Sequence, residues 1–224
     1  MSLNKGIVQA PTNISFSDGD DANIILGKQA EQLISPLHNG HYTQTYRGYV
    51  FHHSTTPLGL AIPIYTSTAP LVALWNPIGS GKNFNLLGVQ IAYTSGTADY
   101  GALGLMYETN AGSMVATGAV FSAFAATTPT NGMVGGGNTS VAKVSISGTN
   151  TLTTAGAAAR WFYTLGGINL EAQTGTAHVT MATPGLYNIS GGILLPPGTA
   201  IWIACTKASS ALYAQTLSWA EVPS

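Results

Sequence analysis

Gly192-Ile-Leu-Leu-Pro-Pro-Gly-Thr-Ala-Ile-Trp-Ile-Ala-Cys205 is the stretch whose reading decides the fold class. Ile201, Ile203 and Cys205 alternate with Trp202, Ala204 and Thr206. A strand here is apolar on both faces, so it belongs in the middle of a sheet that is covered on both sides. Pro196-Pro-Gly-Thr before it is a turn former, because Pro fixes φ and Gly accepts positive φ. Working outward, the same two-residue period recurs. Phe84, Leu86, Gly88 and Gln90 oppose Leu87, Val89, Ile91 and Tyr93. Candidate strands are Thr45–His53, Leu58–Thr66, Pro70–Trp75, Asn83–Ser95, Ala102–Thr109, Val115–Phe124, Ser140–Ser147, Arg160–Leu165, Gly175–Met181, Gly185–Leu195, Thr199–Thr206 and Leu212–Val222. Turn clusters separate them, and no repeat of fixed period appears, which disfavours a propeller or solenoid. The expectation is an all-β chain forming an antiparallel β-sandwich.

The N-terminal part reads differently. Residues 1–45 lack a sustained period and are punctuated by Pro, Asn and Asp-Gly. Asn23–Pro36 offers at most a short helix. The domain expectation is therefore an irregular arm over 1–45 and a single sandwich over 46–224. Charge divides along the same line. Of 15 charged residues in 224, seven lie in the first 47 and eight in the remaining 177. Ala, Gly, Thr and Ser together fill 101 positions. Ala126–Gly137 is Gly-rich and of low complexity, and reads as a long loop between sheets or a surface excursion.

Composition excludes several classes of function. Only 7% of residues are charged and the net charge is −1, so the electrostatic footprint of a nucleic-acid binder and the polybasic segments of a membrane-surface binder are both missing. Disorder does not fit a near-neutral chain that is 45% hydrophobic. Met1–Ala10 has no apolar core, so no secretory leader is expected. Ala111–Ala126, interrupted by Gly, Ser and Thr, is too short to span a bilayer. A single cysteine, Cys205, means no internal disulfide. Near-zero net charge promotes association, which points to a surface committed to other subunits.

Each motif with a chemical reading has a plainer one. Gly79-Ser-Gly-Lys82 lacks the first glycine and the final hydroxyl of a phosphate loop, having Asn76 and Asn83 there, and a strand follows it, so a strand-connecting turn is expected. His38, His41, His52 and His53 form the one local cluster of candidate metal ligands. Adjacent His52 and His53 on a strand point to opposite faces, and no Cys, Asp or Glu accompanies them between 32 and 98. Polar histidines at a subunit contact are favoured, with a metal shared between subunits as the other reading. Asp18-Gly-Asp-Asp21 resembles half a calcium loop, but Gln29 stands where a bidentate Glu is needed. Asp99, Glu108, Glu171 and Glu221 lie singly, so no carboxylate pair for glycoside cleavage is indicated. No nucleophile elbow is present, and Cys205 sits in an apolar run as an inert thiol. No catalytic residue, cofactor or metal ligand is assigned, and the chain is read as a non-enzyme. Most aromatics fit core or subunit contacts, and an exposed subset suited to stacking on sugars leaves glycan binding open.

Two segments, Leu37-His-Asn-Gly-His-Tyr-Thr-Gln-Thr-Tyr-Arg-Gly-Tyr-Val-Phe51 and Leu74-Trp-Asn-Pro-Ile-Gly-Ser-Gly-Lys-Asn-Phe-Asn-Leu-Leu87, resemble stretches of structural proteins of tailed bacteriophages. Gly192–Ile203 is similar to the strand–turn–strand element of jelly-roll domains in virion proteins. The resemblance implies a jelly-roll virion component, a homotrimer contacting like subunits and the major capsid protein or other virion proteins. It transfers no functional residues. On this reading the chain is a capsid decoration or cement protein found in the virion and assembled in the bacterial cytoplasm, where one reduced thiol is at home. The alternative is a tail-fibre or receptor-binding domain for host surface glycans.

Overall fold

A computed structural model describes residues 41–97, 99, 101–109, 121–136, 138–152, 160–173, 176–181 and 185–224. The chain divides into two units, Met1–Thr43 and Gln44–Ser224. Most of the 1–45 arm, with His38 and the Asp18–Asp21 turn, lies outside the described residues, and so does the expected helix at Asn23–Pro36.

One short helix and thirteen strands follow in order: α1 (Tyr42–Tyr46), β1 (Val50–Ser54), β2 (Val72–Asn76), β3 (Lys82–Ser95), β4 (Gly101–Thr109), β5 (Phe121–Ala123), β6 (Thr130–Asn131), β7 (Lys143–Ile146), β8 (Thr151–Leu152), β9 (Arg160–Gln173), β10 (Thr176–Met181), β11 (Gly185–Leu195), β12 (Thr199–Cys205) and β13 (Leu212–Pro223). One sheet has the order β11-β3-β13-β1-β6 and the other β10-β9-β4-β12-β2-β7, with β5-β8 as a separate pair. The antiparallel pairs are nested: β4 with β9, β3 with β11, β2 with β12, and β1 with β13. A ribbon of four nested pairs, rolled so that alternate pairs fall in opposite sheets, is a jelly roll. The all-β sandwich expected from the period-two pattern is the fold observed.

The reason lies in which faces are apolar. Leu74, Leu86, Val89, Leu105, Ile201, Ile203, Leu217 and Trp219 all face the space between the sheets and are fully buried. Trp219 stacks on Phe51 and tilts against Phe84, with centroids 6.2 and 6.4 Å apart. Every residue of β12 is buried, as its two apolar faces require. Its outward face, with Trp202, Ala200 and Ala204, forms a second core with Met106, roofed by Phe121 and Leu152 of β5 and β8. Those two strands belong to the long connection between β4 and β9. The same connection lays β6 along β1 at the edge of one sheet and β7 along β2 at the edge of the other. The described part of Ala126–Gly137, residues 126–136, therefore crosses between sheets, as its composition suggests, but carries β6 within it.

Several expected strands change shape. The strand expected at Arg160–Leu165 runs on to Gln173, and of Val115–Phe124 only Phe121–Ala123 is a strand, residues 115–120 lying outside the described set. β1 starts at Val50 rather than Thr45, because α1 ends there in a C-cap with Gly48 at φ 72°. Tyr49 N–H donates to Gln44 O and Gly48 N–H to Thr45 O, each at 2.9 Å, the paired bonds of a Schellman motif. Leu58–Thr66 is not a continuous strand. This segment crosses from β1 in one sheet toward β2 in the other, touching the ladder through single bridges at Leu60–Tyr213 and Ile64–Cys205. Pro57 and Pro63 remove two ladder donors, and Gly59 at φ 75° bends the chain away.

Candidate functional site

The strand registers bring one set of loops together. β2 ends at Asn76 and β3 begins at Lys82, while β11 ends at Leu195 and β12 begins at Thr199. Asn76 ties these four strands. Its Nδ2 donates to Lys82 O at 2.8 Å and to Leu195 O at 2.9 Å, and its Oδ1 accepts from Ser80 Oγ at 2.6 Å. Asn76 belongs to one sheet and both carbonyls to the other, so one fully buried amide clasps the sandwich shut. Gly79-Ser-Gly-Lys82 is the turn expected of it, with positive φ at Gly79 and Gly81. This is the clasped end. At the opposite, crossing end, residues 55–71 pass between the sheets.

The clasped end collects charge of one sign. The registers pair Lys82 with Pro223, Lys143 with Trp75 and Arg160 with Tyr107, and Arg47 immediately precedes β1. Arg47, Lys143 and Arg160 are exposed and Lys82 is half-buried, its Nζ 5.9 Å from the centre of the Tyr49 ring. The two carboxylates of nearby strands are withdrawn from solvent, Glu108 being 3% and Glu221 4% exposed. Glu221 accepts from Ser140 Oγ and from Val141 N–H, which pins the β6–β7 connection against β13. Large apolar residues surround these cations: Tyr49 (43% exposed), Ile78 (47%), Val134 (93%) and Leu194 (55%). Beside them, between the edges of β9 and β11, lies a groove of about 280 Å³ lined by Tyr107, Phe162, Ile193, Pro196 and Ile201, with Thr109 and Thr199 as its hydroxyls. Tyr107 and Phe162 meet edge to face, 5.0 Å between centroids.

The residues singled out for chemistry are dispersed. His52 and His53 do point to opposite faces. His52 Nδ1 lies 2.8 Å from Ser218 Oγ, and His53 Nε2 lies 3.2 Å from Thr127 Oγ1. The Thr127 hydroxyl lies 3.2 Å from Val144 O, to which it donates, so His53 is the donor to Thr127. Burial pushes both imidazoles below their ordinary value. His41 precedes α1. Among the described residues no three His, Cys, Asp or Glu side chains converge as a metal site. Asp99 sits at the crossing end in an ion pair with Lys207, 2.7 Å. The side chains of Glu171 and His178 lie outside the described set. Cys205 is buried, its thiol pushed up by burial, with Sγ–H directed at Lys207 O at 3.0 Å. Phe51, Phe84, Tyr213, Trp202 and Trp219 are core, whereas Tyr46, Tyr49, Phe162 and Tyr163 are exposed. No described helix is long and apolar enough to cross a membrane.

Sequence reasoning missed both the Asn76 clasp and the gathering of Arg47, Lys82, Lys143 and Arg160. The one available signal for the first was an Asn-Pro at a strand end. The second carried none, since the four residues are far apart in the chain. The chain matches no family model, no curated protein and no solved structure.

Proposed function

We propose that this chain is a non-enzymatic structural protein of a bacteriophage virion, which decorates or cements the capsid as an oligomer, a homotrimer by the resemblance of its sequence. One observation carries the reading. Among the described residues the sandwich hides or pairs its carboxylates and gathers exposed large apolar residues at the clasped end with cations that are in no ion pair. Such a surface is better suited to burial against another protein than to permanent solvation. The function is mechanical. Subunits at junctions between capsomers add contact area that resists internal pressure. A standard interface of about 1,600 Å² has ample apolar driving force at roughly 25 cal/mol per Å², most of it offset by the cost of association. Analytical ultracentrifugation and binding to empty capsids test this. The expected results are an oligomer in solution and saturable binding at high copy number. A stable monomer absent from purified particles overturns the reading.

A second reading is favoured by the groove with Tyr107 and Phe162, beside exposed Tyr163. In it the domain belongs to a tail fibre and stacks host glycans on these rings. Copy number per particle separates the two, hundreds for decoration and at most a few dozen for a fibre, and a glycan array tests the second directly.

A further inference from the structure

We infer that the clasped end docks onto an acidic protein surface, its four cations meeting carboxylates and its aliphatic side chains packing between them. The inference rests on the reading of the chain as an assembly protein and names the partner's chemistry. Arg47 and Lys82 come from the sheet that contains β1 and β3, and Lys143 and Arg160 from the other, so both layers contribute. In the order β9-β4-β12-β2-β7, Arg160 and Lys143 lie four interstrand steps apart, about 19 Å at about 4.8 Å per step. The cations are thus spread over the width of the end rather than focused on one point, which fits a surface and not a single small anion.

Among the described residues the clasped end is net basic for a structural reason. Its two carboxylates, Glu108 and the Glu221 held by Ser140 and Val141, are buried beneath four cations and offset only part of their charge, and Asp99 is paired with Lys207 at the other end. Ile78, Val134 and Leu194 sit among the cations and have no favourable contact with a phosphate backbone, whereas they match the mixed apolar and charged character of a protein interface. Electrostatic complementarity would then set register and speed the encounter, and the aliphatic contacts would hold the complex.

The test uses the full chain and a fluorescent glutamate-rich peptide with interspersed leucines, followed by anisotropy. Wild type should bind it, with affinity falling roughly tenfold or more between low and high salt. The triple variant Lys82→Glu, Lys143→Glu, Arg160→Glu should lose that binding while keeping its circular dichroism and oligomeric state. Val134→Asp should weaken it several-fold. Exchange of the same three positions for the other basic residue should preserve it, and Thr97→Glu at the crossing end should leave it unchanged. Equal binding by the triple variant, or tighter binding of a single-stranded oligonucleotide than of the peptide, overturns the inference. If wild type ignores the peptide yet still binds empty capsids, the partner assignment fails and the assembly reading stands. A monomer absent from particles overturns the assembly reading itself.

Discussion

The two ends of the sandwich solve the same problem by different means. Each must let the chain pass between sheets without stranding backbone groups in the interior. At the clasped end the crossings are short, residues 77–81 and 196–198, and one buried side chain does the satisfying: the Asn76 amide takes a carbonyl from each of two neighbouring turns. At the crossing end the passage is long, and backbone pairs share the work with side chains: buried Asn150 donates to Pro70 O and Thr94 Oγ1 to Leu58 O, both at 2.9 Å. Leu60 N–H donates to Tyr213 O and Tyr213 N–H to Leu60 O, both at 2.9 Å, while Cys205 N–H donates to Pro63 O and Tyr65 N–H to Cys205 O. Charges follow the same division. Lys207 and Asp99 neutralise each other at the crossing end; the cations of the clasped end have no acidic side chain in an ion pair with them among the described residues. Among the described residues the cation of the crossing end is in an ion pair and those of the clasped end are not, and that surplus marks the end to examine for function.

The largest expected effect breaks the clasp. Asn76→Ala removes the side-chain donor of the buried Leu195 carbonyl, together with the bonds to Lys82 O and from Ser80 Oγ, and should cost about 3 kcal/mol, at roughly 1–3 kcal/mol for a group left unsatisfied and about 1 kcal/mol for an ordinary hydrogen bond; urea denaturation checks this, and a loss under 1 kcal/mol would mean the sheets are held at that end by packing alone. Next comes the crossing end. Gly59→Ala forces a Cβ to within 2.6 Å of the Tyr213 backbone at φ 75°, so a loss of about 2 kcal/mol is expected from the positive φ together with the clash. If Gly59→Ala proves the more damaging of the two, the ranking of the ends is reversed.

A smaller effect concerns the β4–β9 connection, which His53 reaches through Thr127. Burial holds the His52 and His53 rings below 6.5 in the folded state. The unfolded chain therefore takes up protons first as pH falls. Stability should be full above about pH 6.5 and decline below it until the folded rings themselves titrate. Melting temperature against pH should show this slope, and His53→Gln should flatten it. An unchanged slope would assign the acid sensitivity elsewhere. Smallest of all is the effect on stability of reversing Lys82, Lys143 and Arg160. Lys143 and Arg160 are exposed and away from caps and cores, worth within about 0.5 kcal/mol each, and half-buried Lys82 adds only its contact with the Tyr49 ring. A large loss would show that these cations serve the fold after all.

How much of this was legible depended on whether the information was local. β12 announced its central position through Ile201-Trp-Ile-Ala-Cys205, because side-chain period and strand burial are set within a few residues; β3 was legible as a strand, but a bulge between Leu86 and Gly88 switches its core face from Phe84 and Leu86 to Val89 and Ile91, which its alternation did not show. The Leu58–Thr66 segment deceived for the same reason. Its apolar content looks like a strand, yet Pro57, Gly59 and Pro63 deny it a ladder, and it crosses an end of the sandwich with Ile62 buried and Leu58 and Tyr65 exposed. β1 began late because a Gly48 cap is as short-range as the alternation it interrupts. Asn76 looked like an ordinary turn residue, since its two acceptors, on Lys82 and Leu195, come from different parts of the chain.

By itself the sequence determined the all-β class, the identity of most strands and the scarcity of charge, since each is a property of composition or of a two-residue period. Only the tertiary structure decided the nesting of the four strand pairs, the clasp, and where the few charges end up. Sign and position in the chain do not reveal that Glu221 is held by Ser140 and Val141 or that Lys82, Lys143 and Arg160 lie at the same end of the sandwich. Antiparallel register decides that, because it places strand starts and ends from distant parts of the chain side by side.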